Sequence, residues 1–246
     1  MLRPVQAEFA PRAQVFPGGR LDPEDANHSW EQLSEIDAAG AARIASDAGV
    51  ADRDEDDFFG DLAYRIGATR EVFEETTVLL GIPAGALPEP GWAAATRTRV
   101  HGDGEGFEDV LRESGLRLHP GALAYFARWV TPEALPKRYD TRFYAAAMPV
   151  GQEAVAAPGE VESLEWITPR RALERAETNE AYTLPPTRAA LSAISTYPDV
   201  ASALLGLAAG RDLTPILPQI VSGTGPSSGI RVVLPGEAGY QPNAGR

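Results

Sequence analysis

The stretch that decides the fold is Arg70-Glu71-Val72-Phe73-Glu74-Glu75. Glu71, Glu74 and Glu75 stand at i, i+3 and i+4, so on a helix their side chains share one face. Working outward, Leu62, Ile66, Thr69, Phe73 and Leu80 recur at helical spacing. That spacing predicts a helix over 61–80, with Asp61 as N-cap, Gly81 as the C′ residue and Pro83 beyond it. Gly67 reads as a blemish inside the helix, costing about 1 kcal/mol relative to Ala. Like charges at i, i+3 and i+4 repel by about 0.2–0.5 kcal/mol per pair. A hard divalent cation would turn that repulsion into ligation. Without a cation, the same pattern suits a solvated helix face.

Upstream, Phe16-Pro17-Gly18-Gly19-Arg20-Leu21-Asp22-Pro23-Glu24-Asp25 reads as a strand end, a Gly-Gly turn and an acidic run. Glycine permits close backbone approach, so the Gly18 carbonyl is a candidate metal ligand. Residues 13–17 are β-prone. Between 22 and 57 the chain is polar and Ala-rich, with a helix expected from Trp30 to Ile44 and an acidic cluster at Asp52 to Asp57, read as a solvated loop. Downstream, Gly102 to Gly106 reads as loop, Phe107 to Ser114 as helix, and Ala122 to Val130 and Arg142 to Met148 as strands. A short strand at Leu164 to Ile167 leads into a helix from Pro169 to Ala176, with Pro in its first turn. One or two helices are expected over 187–209. From Gly223 onward Gly, Pro and Ser dominate, with an edge strand at Ile230 to Leu234. Strands mixed with helices give an α/β class with a mixed sheet covered by helices.

Composition narrows function. The 246 residues carry a formal charge of −13 and 43% hydrophobic residues, enough for one sizeable core. An acidic chain of this kind is not expected to bind nucleic acid or an anionic membrane surface. No apolar run approaches a membrane span, and no signal peptide is read, so the cytoplasm is the expected compartment. With no cysteine, thiolate catalysis and Cys-based metal sites are excluded. Lys137 is the one lysine among 22 basic residues, so phosphate contacts fall to arginine. His28, His101 and His119 show no metal spacing and receive no role.

Taken together, the two acidic stretches resemble the Nudix box, Gx5Ex7REUxEExGU with U aliphatic. Gly19 matches the first Gly, Arg70-Glu71-Val72 and Glu74-Glu75 match the REUxEE core, and Val78 matches the last aliphatic. Asp25 stands in place of the first Glu, and Thr77 in place of the second Gly. The spacer of the pattern is replaced by residues 26–69. An inserted box of this kind is similar to one branch of the Nudix superfamily, that of the peroxisomal coenzyme A diphosphatase, nucleoside diphosphate-linked moiety X motif 19. Trp129-Val130-Thr131-Pro132-Glu133 and Arg138-Tyr139-Asp140-Thr141-Arg142-Phe143-Tyr144 resemble a second segment of that branch.

The resemblance implies a Nudix α/β/α sandwich over 1–210, with the box split as 18–25 and 70–78; the insertion 26–60, which lengthens a loop at little entropic cost, is expected outside the core, over or beside the active site, and the composition of 211–246 predicts a loop-rich extension. The resemblance also implies hydrolysis of a diphosphate in a nucleoside diphosphate linked to another moiety, assisted by Mg2+ or Mn2+. CoA or acyl-CoA is the expected substrate; ADP-ribose, a nucleotide sugar or a dinucleotide is the alternative, and a catalytically weak nucleotide-binding protein the second alternative. Glu71 and Glu75 are the expected metal ligands, Glu74 a ligand to a second ion or a base, and Arg70 the residue that orients them. Glu160, with Glu162 behind it, is the expected general base ahead of Trp166. Arg20, Arg138 and Arg142 are candidate substrate contacts. A Nudix sheet has a strand before the Gly-Gly turn, to which only Met1-Leu2-Arg3 corresponds. A longer start or a partner chain completing the edge, as in a homodimer, is therefore expected.

Overall fold

Leu62, Ile66 and Phe73 are fully or nearly fully buried along one stripe of a helix, in a core with Trp30, Phe107, Val110, Leu111 and Leu118. The structure is a computed structural model that describes residues 1–4, 12–36, 55–89, 91–102, 104–209, 213–222 and 230–241. In chain order it runs through a 3-10 turn at Pro23–Ala26, α1 (Trp30–Leu33), α2 (Glu55–Thr76), α3 (Trp92–Arg97) continuing into a π turn (Thr98–Gly102), and α4 (Phe107–Ser114). There follow β1 (Ala124–Val130), β2 (Asp140–Ala145), α5 (Pro169–Glu177), α6 (Pro185–Ile194), α7 (Val200–Ala209), β3 (Gln219–Ser222) and β4 (Ile230–Val233).

Helix α2 is the expected carboxylate helix, shifted toward the N-terminus. Asp61 is not its N-cap but a buried interior residue. Arg65 Nε donates to Asp61 Oδ2 at 2.9 Å, and Arg142 Nη1 donates to Asp61 Oδ1 at 2.8 Å. Two guanidinium partners make this carboxylate's burial tolerable. Nor does Gly81 cap the C-terminus. Thr77 takes the left-handed position, at φ 60°, and its N–H donates to Phe73 O at 2.8 Å, which closes the helix in the αL manner. Its hydroxyl donates to Glu153 O at 3.3 Å.

β1 and β2 are antiparallel, from Ala124 opposite Ala145 to Val130 opposite Asp140, with a register shift at Phe126. Tyr125 and Tyr144, with ring centroids 5.2 Å apart, lie on the face beneath α2. There the Arg142 guanidinium stacks 3.8 Å from the Tyr64 ring. On the opposite face Phe126 packs with Ala190 of α6 and Ala203 and Leu207 of α7. Helices thus cover both faces of the pair, the expected α/β/α layering. Ile216 adds to the other edge of β1: Val130 N–H donates to Ile216 O at 2.9 Å, and Ile216 N–H to Arg128 O at 2.8 Å. β4 forms where an edge strand was expected but pairs with β3, in a separate hairpin.

Three further expectations are corrected. Residues 13–17 do not form a strand: Ala13 and Gln14 make single bridges, to Tyr182 and Leu2. Leu164 to Ile167 has no strand structure, and Trp166 is 78% exposed. The insertion is not wholly outside the core. Trp30 and Leu33 are buried with Phe73, Phe107 and Leu118, and α1 ends at Leu33 because the chain turns extended to bridge Ser34 with Leu118. The remainder of the expected Trp30–Ile44 helix beyond Ile36, and Asp52 to Asp54, lie outside the described residues. No helix among the described residues is long and apolar enough to cross a membrane.

Candidate active site

The two halves of the split box meet at Arg70. Its Nε and Nη2 donate to Asp25 Oδ1 and Oδ2 at 3.0 and 2.9 Å, a bidentate pair. Nη2 also donates to Arg20 O at 2.8 Å, while Nη1 donates to Glu71 Oε1 at 3.1 Å and Glu74 Oε2 at 3.0 Å. One guanidinium therefore ties the acidic turn to the helix and aims two of its carboxylates. Asp25 is 2% exposed and also accepts from Asp22 N–H at 2.8 Å. Gly67 makes this approach possible: a Cβ there would lie 2.9 Å from Asp25 Oδ2 and 3.0 Å from Leu21 Cδ1. What reads as a blemish in the sequence is the point of contact.

The Gly-Gly turn serves the helix directly. Gly18 N–H donates to Glu75 Oε2 at 2.8 Å, which ties the turn to the carboxylate helix. A Cβ on Gly19 would fall 2.3–2.4 Å from the Glu71 carboxylate, which only glycine avoids. Asp22, Glu71, Glu74, Glu75 and Glu160 line a cleft of about 460 Å³, together with Arg3, Arg70 and His101. Burial pushes the Glu71 carboxyl up to about 7, with Arg70 opposing and the Glu74 charge adding to the rise. Burial also pushes Glu75 up to about 7, although the Gly18 N–H works the other way. Glu74 is raised by burial as well. Burial works against the Arg70 charge, but Asp25, Glu74 and Glu71 outweigh it and hold the guanidinium firmly protonated.

Glu71, Glu74, Glu75, Arg70, Gly18 and Glu160 are thus brought together. Glu160 Oε1 lies 3.5 Å from His101 Nε2. Glu162 is not part of the lining; its N–H donates to Leu2 O at 3.0 Å. The three candidate substrate arginines lie outside the lining too. Arg20 sits 6.0 Å from the Tyr139 ring, Arg138 Nε donates to Thr131 O at 3.1 Å, and Arg142 is committed to Asp61 and Tyr64. His101 and Arg3 were missed, because no local pattern marks a residue delivered by a π turn or by a distant main-chain pairing.

The donor set suits a hard cation. It is all oxygen, partly buried, and carries more negative charge than Arg70 neutralises. Among the described residues no group of three or more His, Asp or Glu side chains is drawn close enough to enclose an ion; Glu71 and Glu74 instead lean on Arg70.

The NUDT19 Nudix domain matches residues 1–194. The chain belongs to this family. It is 29% identical over 217 residues to the Gallus gallus protein "Acyl-coenzyme A diphosphatase NUDT19", covering 75% of this chain and 57% of that one. It is 30% identical over 205 residues to the Homo sapiens protein of the same name, covering 72% and 55%. The chain thus spans little more than half the length of these relatives. A solved structure, that of a NUDIX hydrolase from Alicyclobacillus acidocaldarius, aligns with a TM-score of 0.64 and 26% identity, over 87% of this chain and 88% of that one. The fold is the Nudix fold. Thr77 occupies the left-handed position where the Nudix pattern has glycine, the residue that adopts it without strain.

Proposed function

We propose that this chain hydrolyses the diphosphate linkage of a nucleoside diphosphate joined to another moiety, with CoA or an acyl-CoA as preferred substrate. The observation that carries the reaction class is the Arg70 hub, which sets Glu71 and Glu74 beside Glu75 in one cleft. The substrate rests on the relatives named acyl-coenzyme A diphosphatase. Glu71, Glu74 and Glu75 would hold Mg2+ or Mn2+, which when bound would neutralise charge at the phosphate oxygens and lower the pKa of the attacking water. The chain's own groups do the rest. Gly18 N–H fixes Glu75, Arg70 orients Glu71 and Glu74, and Asp25 fixes Arg70. Glu160 takes the proton of the attacking water, with His101 beside it. The water oxygen bonds to phosphorus and the bridging oxygen leaves with the other phosphate, so CoA yields adenosine 3′,5′-diphosphate and a phosphopantetheine.

The test is turnover of CoA, an acyl-CoA, ADP-ribose and NADH with Mg2+ or Mn2+. CoA-type substrates are expected to lead. ADP-ribose turning over about a hundred-fold faster moves the assignment to another diphosphate, and no turnover of any of the four leaves a nucleotide-binding protein.

A further inference from the structure

Arg3 lines the carboxylate cleft but belongs to neither half of the Nudix box. Its main chain is held on both sides. Arg3 N–H donates to Ala13 O at 3.1 Å, and Arg12 N–H donates to Arg3 O at 3.2 Å. Its neighbour Leu2 bridges both Gln14 and Ser163. The side chain is therefore presented to the cleft by fixed backbone. Arg3 Nε is shielded from solvent and has no hydrogen-bond partner among the described residues, a costly state unless a ligand relieves it. The other basic groups of the lining are engaged: Arg70 by Asp25, Glu71 and Glu74, and His101 by Glu160. A diphosphate entering beside these carboxylates carries its own negative charge, and arginine is the side chain whose fork matches phosphate oxygens.

We propose that Arg3 is a substrate-binding residue, donating from its guanidinium to a non-bridging oxygen of the diphosphate. The proposal rests on the hydrolase reading above and names the residue that grips the substrate. The competing role is structural: Arg3 also acts on the charge of Glu75 and would then serve only to steady that carboxylate.

Arg3→Gln and Arg3→Lys separate the two. Each is assayed on the best substrate at saturating Mn2+, with the Mn2+ midpoint and melting temperature measured alongside. A charged hydrogen bond is worth about 1.5–3 kcal/mol, so Arg3→Gln is expected to raise KM by roughly ten- to a hundred-fold. On the same basis kcat changes less than about threefold, the Mn2+ midpoint stays put, and Arg3→Lys falls between. A KM within about twofold of wild type, or a loss confined to kcat with a shifted Mn2+ midpoint, overturns the proposal. Should Arg3→Gln fail to fold, Arg3→Lys decides by the same criterion. If wild type turns over none of the four substrates, the hydrolase reading fails by itself, and equilibrium binding of ADP then tests Arg3. Weaker binding by the variant supports the contact, and equal binding overturns it.

Discussion

Glu75 is the carboxylate of the helix that the Gly-Gly turn bonds through its main chain. It is 6% exposed, accepts from Gly18 N–H, and shares a helix face with Glu71. Glu75→Gln keeps the size and helix propensity of the side chain and removes its charge. Without metal the variant should melt as high as wild type or slightly higher, because burial no longer opposes a charge and a like-charged neighbour of Glu71 is gone. Activity should fall by roughly a thousand-fold or more, and Mn2+ should no longer raise the melting temperature as it does for wild type. A variant that kept a tenth of its activity and the full Mn2+ response would show that Glu75 is not a ligand. At this scale the sequence was informative where chemistry follows helical spacing, as for Glu71, Glu74 and Glu75. It was silent for Arg3 and His101, whose places depend on contacts between distant parts of the chain.

Helix α2 shows why element boundaries were harder to read than the element itself. A start at Asp61 follows the usual preference of Asp for caps, but Arg65 and Arg142 give the carboxylate partners inside the helix. An end at Gly81 follows the preference of glycine for C′, but Thr77 takes that position, and the intrinsic preference of a β-branched residue does not mark it for positive φ. Gly67 was visible as an anomaly, yet its purpose lies in the turn packed against it. Gly67→Ala offers about 1 kcal/mol of helix propensity. Against that, the new Cβ meets Asp25 at 2.9 Å and Leu21 at 3.0 Å. The expected outcome is a lower melting temperature together with lower activity, since displacing Asp25 releases Arg70. A stabilised, fully active Gly67→Ala enzyme would mean that the close approach is dispensable.

Across the whole molecule, the buried carboxylates link stability to pH and metal. Glu71 and Glu75 sit near 7 in the folded chain against an ordinary value of 4.5. The native state therefore binds more protons than the unfolded state in that window. The stability these groups contribute is complete below 4.5 and is lost as pH rises through 7. Metal-free protein should accordingly melt lower at pH 8 than at pH 5.5, and Mn2+ should stabilise it more at pH 8, where the ligands are ionised. Melting curves at both pH values, with Mn2+ and with a chelator, check this; an Mn2+ effect larger at pH 5.5 would contradict it. The α/β/α layering was legible because the box and the Arg138–Tyr144 segment resemble a known family. The docking of Trp30 and Leu33 into the core was not, because a polar, Ala-rich insertion gives little sign of which two residues it buries.

The Arg70–Asp25 clasp joins positions far apart in the chain, and Leu118 N–H donates to Leu33 O at 2.8 Å while Glu35 N–H donates to Leu118 O at 2.7 Å. Each partner in these contacts lies on the opposite side of residues 37–54. The described residues on either side of that segment are thus joined through space. A gene cut in two within 37–54 should yield a pair of polypeptides that reassemble. The shorter piece, too small to hold a core alone, should be retained on a tag carried by the longer one, and diphosphate cleavage should return only when both are expressed. Recovery of the longer piece without its companion would show that the covalent link is indispensable.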